Sequence, residues 1–310
     1  MTPEPGPLAV LPVADPLFVD AVRAAGGAVA PLSASTRGIV WLDNAGGDSL
    51  GEVLAAHPDV NWVQLPWAGV DSFAEVLRQH DRPGRIWTSA KGAYARPVAE
   101  HALTLLLGVL RLLPTRIRAD SWGAKGGASL YGRRVLVVGA GGIARELLRL
   151  LRPFEVDVTI VRRTAAPVPG ATTTVTVDRL DEVLPAADVV VLAAPLTEAT
   201  SGLLDAARLA HMKPGAYVVN VARGGLLDTG ALLAALDAGH LSGAGLDVTD
   251  PEPLPTGHPL WRHERVVMTP HTADTPEMTR PLLAERVRDN VRAYLSGGGF
   301  TGVVDPRQGY

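Results

Sequence analysis

The feature that most constrains the fold of this chain is a glycine-rich turn of sequence Gly-Ala-Gly-Gly-Ile-Ala that begins at Gly139. The turn follows the valine-rich run 135–138 and precedes the amphipathic stretch 143–151. A strand, such a turn and a helix together form a phosphate-binding unit, because the helix N-terminus faces a pyrophosphate. Gly139 permits the tight turn, Gly141 removes a side chain that would block the phosphates, and Ala144 is small enough for close packing. The alternative, a tight turn without a ligand, is disfavoured by this context.

Short apolar runs alternate with amphipathic stretches twice along the chain, which is the pattern of βαβ units in parallel sheets. In the first part, strands are predicted at 8–13, 38–42, 62–65 and 86–88, and helices at 16–25, 49–57 and 71–79. In the second part, six strands are predicted at 135–138, 158–161, 189–192, 216–220, 243–247 and 266–269. Further helices are predicted at 97–113, 143–151, 229–238 and 278–295. The second part has the alternation of strands and helices that is typical of a Rossmann fold.

Composition narrows the class of protein. A length of 310 residues corresponds to two domains of about 150 residues each. The net charge of −3 favours a small-molecule ligand over nucleic acid, and the absence of cysteine excludes disulfides and thiolate metal sites. The apolar run 98–113 contains the ionisable side chains Glu100, His101 and Arg111 and is too short to span a bilayer. The N-terminal residues lack a signal-like pattern. We expect a cytoplasmic protein without a membrane partner, and the histidine spacings predict no metal site.

The strand after the glycine-rich turn ends in Arg162, Arg163 and Thr164, where NAD-binding proteins usually place an acid that binds the ribose hydroxyls. An acid would repel a 2′-phosphate, whereas guanidinium groups bind one through charge-assisted hydrogen bonds. The sequence therefore favours NADP (as NADPH) over NAD. The alternative is that both arginines are solvated surface charges and that backbone groups recognise the ribose.

Three polar side chains follow strands late in the chain, where open α/β sheets bind ligands. Arg223 suits a carboxylate, Glu252 lies in a proline-rich loop, and His271 follows the last predicted strand. A histidine can donate and accept a proton near neutral pH, and a neighbouring carboxylate orients its ring. Taken singly, each residue also has a purely structural interpretation: Arg223 as part of a surface ion pair, Glu252 as a charge in a loop, and His271 as a histidine at the end of a strand.

These stretches, taken together, resemble a known family. Three segments resemble the signatures of the D-isomer-specific 2-hydroxyacid dehydrogenases, namely 220–225, 246–254 and 270–271. Four further segments resemble other parts of that family: 68–71 the substrate loop, 98–101 the linking helix, 122–132 the lead-in to the cofactor fold, and 195–197 the loop on the nicotinamide side. The resemblance implies two Rossmann-like or flavodoxin-like α/β domains with parallel sheets, the cofactor domain being inserted in the substrate domain. We place the substrate (catalytic) domain at 1–96 and 276–310 and the dinucleotide-binding domain at 97–275, although the glycine-rich stretch 121–132 is a second plausible boundary.

The resemblance also implies roles. Arg223 holds the substrate carboxylate and polarises the C2 oxygen, His271 is the acid/base, and Glu252 tunes His271. Substrate-binding residues would be Trp67, Ala68, Gly69 and Val70. Cofactor-binding residues would be Gly139, Gly141, Gly142, Ile143, Arg162, Arg163, Thr164, Ala194, Pro195, Val221, Ala222, Arg223, Asp247 and His271, with Asp247 accepting a hydrogen bond from the nicotinamide amide. His101 is expected to be structural, and Trp67 either caps the substrate pocket or lies in the core beneath it, with the pocket favoured.

Two departures from the family pattern are Ala193, where the family often has a histidine, and Asp274, which brings charge near His271. The expected reaction is reduction of a small 2-keto acid, such as glyoxylate or hydroxypyruvate, with NADPH. A homodimer is expected, with the apolar helix 102–113 as a candidate surface. The alternative is a dinucleotide-sensing, protein-binding module of the corepressor type without metabolic turnover.

Overall fold

The computed structural model describes residues 4–307. Contacts divide the chain into two compact units. Unit 1 comprises Met1–Tyr94 and Thr275–Tyr310, and unit 2 comprises Ala95–Asp274. The chain therefore leaves unit 1 after Tyr94 and returns to it at Thr275, and the glycine-rich stretch 121–132 lies inside unit 2.

The secondary structure of residues 4–307 alternates between strands and helices. The strands are β1 (Leu8–Leu11), β2 (Gly38–Trp41), β3 (Trp62–Gln64), β4 (Ile86–Thr88), β5 (Arg134–Val138), β6 (Asp157–Arg162), β7 (Thr173–Thr176), β8 (Val189–Leu192), β9 (Tyr217–Asn220), β10 (Gly243–Leu246) and β11 (Val266–Met268). The α-helices are α1 (Pro16–Ala24), α2 (Gly47–Ala56), α3 (Ala74–Gln79), α4 (Ala95–Leu110), α5 (Leu113–Ile117), α6 (Gly142–Leu151), α7 (Leu180–Val183), α8 (Ala206–His211), α9 (Thr229–Asp237) and α10 (Pro276–Ser296).

The sheet of unit 1 has the strand order β1-β2-β3-β4, and neighbouring strands are parallel. Val29 bridges the other side of β1 in parallel, so the order resembles that of flavodoxin-like sheets. Helix α10 is fixed to this sheet by a buried amide, because Asn290 Nδ2 donates to Gln64 Oε1 at 2.8 Å and Asn290 Oδ1 accepts from the Thr301 amide at 2.8 Å. Satisfied buried polar groups of this kind fix one register of packing.

The sheet of unit 2 has the order β11-β10-β9-β8-β5-β6-β7 and is parallel in every pair of described strands. Apart from the extra strand β11, this is the Rossmann order. Strands β5 and β8 are buried valine and leucine runs, as expected for strands covered on both faces. The edge strand β7 was not predicted, because its threonine-rich sequence carries no apolar run. The predicted α/β fold class with parallel sheets is confirmed.

The predicted dimer surface on the helix now numbered α4 requires a correction. Ala102, Leu105 and Val109 are buried, and α4 packs on the strands of its own unit. A Cβ atom added at Gly245 in β10 would lie 2.8 Å from Leu105 Cβ, so helix and sheet are in close contact. The apolar face of α4 is therefore used inside unit 2. No helix within residues 4–307 is both long and apolar enough to cross a membrane.

Candidate active site

The glycine-rich turn between β5 and α6 has the geometry of a phosphate cradle. Gly139 has φ +115°, and a Cβ atom there would lie 2.4 Å from the carbonyl oxygen of Ala193, so only glycine fits. A Cβ atom at Gly141 would meet nothing within 4 Å, which leaves open space before the first turn of α6. The amides of that turn, which include those of Gly142 and Ile143, have no acceptor inside the helix and carry the positive end of its dipole. The turn therefore fits the pyrophosphate of a dinucleotide.

Basic side chains lie in the two elements next to this cradle, β6 and α6. Arg162, the last residue of β6, is half-buried, and its Nη1 lies 3.4 Å from the carbonyl oxygen of Ala166. Arg163 and Thr164 are exposed beyond it. Arg145 was not among the predicted cofactor residues, although its Nε donates to the carbonyl oxygen of Ala140 in the turn at 3.2 Å. That bond draws the guanidinium of Arg145 toward the N-terminal end of α6. The sequence signal that could have identified this residue is an arginine four residues after the second glycine of the turn.

His271 and Glu252 form a direct pair. His271 Nδ1 lies 2.5 Å from Glu252 Oε1, and the two side chains are 45% and 41% exposed. The carboxylate fixes the ring and holds a proton on Nδ1, which leaves Nε2 as the atom that can exchange a proton with a substrate. His271 has φ 51°, in the left-handed region that residues other than glycine rarely adopt. This pairing and unusual backbone are typical of a residue held for function.

Asp247, at the end of β10, is only 2% exposed. Its Oδ1 accepts from Thr269 Oγ1 at 2.6 Å and from the Thr272 amide at 2.9 Å, and its Oδ2 accepts from the Ala273 amide at 3.1 Å. His101 Nε2 lies 3.4 Å from Oδ1. Burial raises the pKa of Asp247, but hydrogen bonds from His101, Thr269 and the two amides outweigh burial and hold it below its ordinary value. Asp247 is therefore a buried carboxylate that stays ionised.

Arg223 follows β9 in a loop that is fixed by its neighbours. Asn220 Nδ2 donates to the carbonyl oxygen of Arg223 at 2.9 Å, and Asn220 Oδ1 accepts from the Ala222 amide at 3.1 Å. A Cβ atom at Gly224 would lie 1.8 Å from the carbonyl oxygen of Thr249, so the loop that leads to Glu252 passes directly against residue 224. The glycine after Arg223 therefore permits this close approach.

Asp274 connects these groups electrostatically. Burial raises its pKa above the ordinary value, the charges of His271 and Arg223 lower it, and that of Asp247 raises it further. All four charged groups therefore share one end of the unit 2 sheet, and Glu252 joins them through its pair with His271. This is the carboxyl end of the parallel strands, where α/β sheets bind their ligands.

The remaining predicted cofactor residues also follow strands of this sheet. Val221 and Ala222 are buried directly after β9, and Ala194 and Pro195 follow β8. Thr200 Oγ1 donates to the carbonyl oxygen of Pro195 at 2.7 Å and closes that loop.

The predicted substrate loop belongs to unit 1 and follows β3. Val70 is buried, Gly69 is half-buried and Ala68 is exposed. Trp67 is half-buried, packs against the core of the unit and contacts the Tyr94 ring edge-on at 6.5 Å between centroids. Trp67 is thus partly a core residue, and its predicted role in the pocket stays a prediction.

A cleft of about 650 Å³ lies elsewhere in unit 2, beside α5. Its lining includes Arg116, Lys125 and Arg262 and none of the predicted site residues. The catalytic prediction therefore does not involve this cleft. Among residues 4–307, no cluster of histidine and acidic side chains could hold a metal ion.

The fold and the cradle define a dinucleotide-binding protein of the Rossmann class. The family model for the NAD-binding domain of D-isomer specific 2-hydroxyacid dehydrogenases matches residues 103–273. The glyoxylate reductase of Pyrococcus furiosus is 34% identical over 258 residues, which cover 79% of this chain and 76% of that protein. The D-3-phosphoglycerate dehydrogenase of Mycobacterium tuberculosis is 34% identical over 251 residues, or 79% of this chain, which spans about half (47%) of that relative.

A solved structure agrees with these relatives. The D-isomer specific 2-hydroxyacid dehydrogenase of Xanthobacter autotrophicus Py2, in complex with NADPH and MES, is 30% identical, with a TM-score of 0.82 over 99% of this chain and 100% of that one. This chain belongs to the D-isomer-specific 2-hydroxyacid dehydrogenase family. The predictions of the family and of an oxidoreductase with a Rossmann-type NAD-binding domain are confirmed.

Proposed function

We propose that this protein reduces a small 2-keto acid to the D-2-hydroxy acid with NADPH, and that glyoxylate and hydroxypyruvate are its substrates. The observation that carries the proposal is the His271–Glu252 pair at 2.5 Å at the carboxyl end of a dinucleotide-binding sheet. A dehydrogenase needs an acid/base at this position, because reduction of a ketone adds a proton to oxygen as well as a hydride to carbon. The glyoxylate reductase of Pyrococcus furiosus supports the choice of substrate.

The bound nicotinamide supplies the hydride that C2 of the substrate accepts. In the proposed mechanism, Arg223 donates hydrogen bonds to the substrate carboxylate and to the C2 oxygen, and so stabilises the negative charge that develops on that oxygen. His271 donates the proton on Nε2 to the same oxygen. Glu252 accepts from Nδ1–H throughout and stabilises the protonated ring before transfer.

Cofactor preference is assigned to the end of β6. Arg162 and Arg163 would bind a ribose 2′-phosphate, with Thr164 as a hydroxyl donor and Arg145 as a cation at the pyrophosphate. The NADPH complex of the Xanthobacter autotrophicus relative is consistent with this choice. Asp247 would accept a hydrogen bond from the nicotinamide amide.

The corepressor-type alternative is not favoured. The relatives named above are dehydrogenases and reductases. We keep the homodimer as a proposal and assign its surface to the segment after α4, because Ile117 and Trp122 are 77% and 98% exposed. Light scattering of the protein and of Trp122→Glu tests that assignment, and a monomeric wild-type protein would contradict it.

Oxidation of NADPH, followed with a panel of 2-keto acids, tests the proposed function. We expect turnover with glyoxylate and hydroxypyruvate, and D-glycerate as the product from hydroxypyruvate. Tight dinucleotide binding without turnover of any acid would instead support the binding module. Formation of L-glycerate would contradict the assigned arrangement of acid/base and hydride donor.

A further inference from the structure

Helix α4 carries a histidine that reaches the buried carboxylate of Asp247. His101 Nε2 lies 2.8 Å from Thr269 Oγ1 and 3.4 Å from Asp247 Oδ1, and Thr269 Oγ1 lies 2.6 Å from the same Oδ1. Three side chains that are far apart in sequence therefore form one hydrogen-bonded chain. From the sequence, His101 was expected to be structural, and Thr269 had no predicted role.

The direction of these hydrogen bonds follows from the chemistry of their atoms. An ionised carboxylate can only accept, so the hydroxyl hydrogen of Thr269 points to Asp247. The oxygen of that hydroxyl must then accept from His101, which requires a proton on Nε2. The chain runs from His101 to Thr269 to Asp247, and it fixes the tautomer of the histidine.

The other end of the chain reaches the backbone around His271. Asp247 accepts from the amides of Thr272 and Ala273, the two residues that follow His271, at 2.9 and 3.1 Å. The amide of His271 itself donates to the carbonyl oxygen of Asp247 at 2.8 Å. Because His271 has φ 51°, this turn depends on such anchors.

We propose that His101 is a positioning residue for His271 and acts through Thr269 and Asp247. The chain holds the carboxylate of Asp247 in the position that anchors the turn 271–273 and aims the imidazole of His271 at the substrate oxygen. The inference rests on the proposed function, because it takes His271 as the acid/base.

The chain also predicts a pH dependence. Its donors help to hold the pKa of Asp247 below the ordinary value, so their removal raises that pKa. In a variant without these donors, Asp247 becomes protonated at a higher pH than in the wild-type protein. The turn 271–273 therefore loses its anchor at that higher pH. Other titratable or charged groups at this end of the sheet are His101 on α4, Arg223 after β9, Glu252 after β10, and His271 and Asp274 after β11.

Substitutions at two positions test the proposal kinetically. Thr269→Val removes the hydroxyl at nearly constant volume, and His101→Leu removes the first donor. We expect kcat to fall about 10-fold in each, which is about the effect of losing one hydrogen bond from a chain that supports a charged group. The acid limb of the kcat–pH profile should move to higher pH, with little change in the KM for the 2-keto acid. His101→Gln, which keeps an N–H donor at the end of the side chain, should restore kcat and the profile, and Thr269→Ser should retain both.

Amide hydrogen exchange supplies a readout that does not depend on turnover. Thr272 and Ala273 should exchange faster in Thr269→Val and His101→Leu than in the wild-type protein and in His101→Gln. Unchanged exchange, or a lower melting temperature with unchanged kcat and pH profile, would overturn the positioning role. A wild-type protein without turnover would refute the proposed function alone, because faster exchange in the two variants would still support the anchoring chain.

Discussion

Glu252 Oε1 lies 2.5 Å from His271 Nδ1, although the two residues follow different strands of the sheet. Because the carboxylate accepts from one ring nitrogen, the other nitrogen is oriented as the proton donor. Glu252→Gln keeps the shape but removes the charge that stabilises the protonated ring. We expect kcat/KM to fall about 100-fold, within the range of general acid–base catalysis.

A steady-state assay with hydroxypyruvate checks this prediction. Glu182→Gln is the matched control, because Glu182 forms a comparably short ion pair with Arg179 at 2.7 Å on the surface of unit 2. Its kcat/KM should equal that of the wild-type protein. An equal loss in both variants would mean that the effect of Glu252 is not specific to the pair with His271.

The preference for NADPH depends on the end of β6. Arg162→Asp replaces a phosphate-binding cation with a charge that repels the 2′-phosphate, so the ratio of kcat/KM for NADPH over NADH should fall about 10-fold or more. Arg152→Asp makes the same charge change in the exposed turn after α6, at the opposite end of the helix from the cradle, and should leave the ratio unchanged. An unchanged ratio in Arg162→Asp would refute the role of this arginine.

The sequence was informative where chemistry and periodicity are local. The turn at Gly139, the valine-rich strands and the order Arg223, Glu252, His271 are all visible in short segments, and they sufficed for the fold class and the family. The threonine-rich edge strand β7 and the short helix α5 lack such a pattern. The chain from His101 to Asp247 joins residues 146 positions apart (247 − 101), which only the folded sheet brings together.

Two glycines of the cradle should respond differently to alanine. At Gly139 a Cβ atom would lie 2.4 Å from the Ala193 carbonyl oxygen, and φ is +115°, so Gly139→Ala should lower the melting temperature by about 5 °C or more. At Gly141 the space is open, so Gly141→Ala should fold normally but raise the Kd of NADPH about 10-fold, by intruding on the phosphate position.

Calorimetric melting and fluorescence titration with NADPH separate the two effects. We expect a stability defect from the first substitution and a binding defect from the second. Normal NADPH affinity in Gly141→Ala would show that the open space at this glycine is not the phosphate position.

Asp274 makes stability depend on pH. Burial raises its pKa, so the folded protein binds this proton more tightly than the unfolded chain does. The resulting stabilisation is fully present below the unfolded pKa and is lost as pH rises through the folded pKa. Asp274→Asn has no charge to bury, so its melting temperature at neutral pH should be higher than that of the wild-type protein. The gain should shrink as pH falls, and melting curves between pH 4 and pH 8 check it. A difference that stays constant over this range would contradict the assigned cause.

The central claim is that His271 is the acid/base of a 2-keto acid reductase, and the kinetics of His271→Gln test it most directly. We expect kcat for reduction of hydroxypyruvate to fall about 1000-fold, within the range of acid–base catalysis. The Kd of NADPH should change far less than kcat, because the phosphate cradle is intact although His271 is also a predicted cofactor contact. A kcat within about 3-fold of wild type would contradict the claim, since a general acid is worth far more than that.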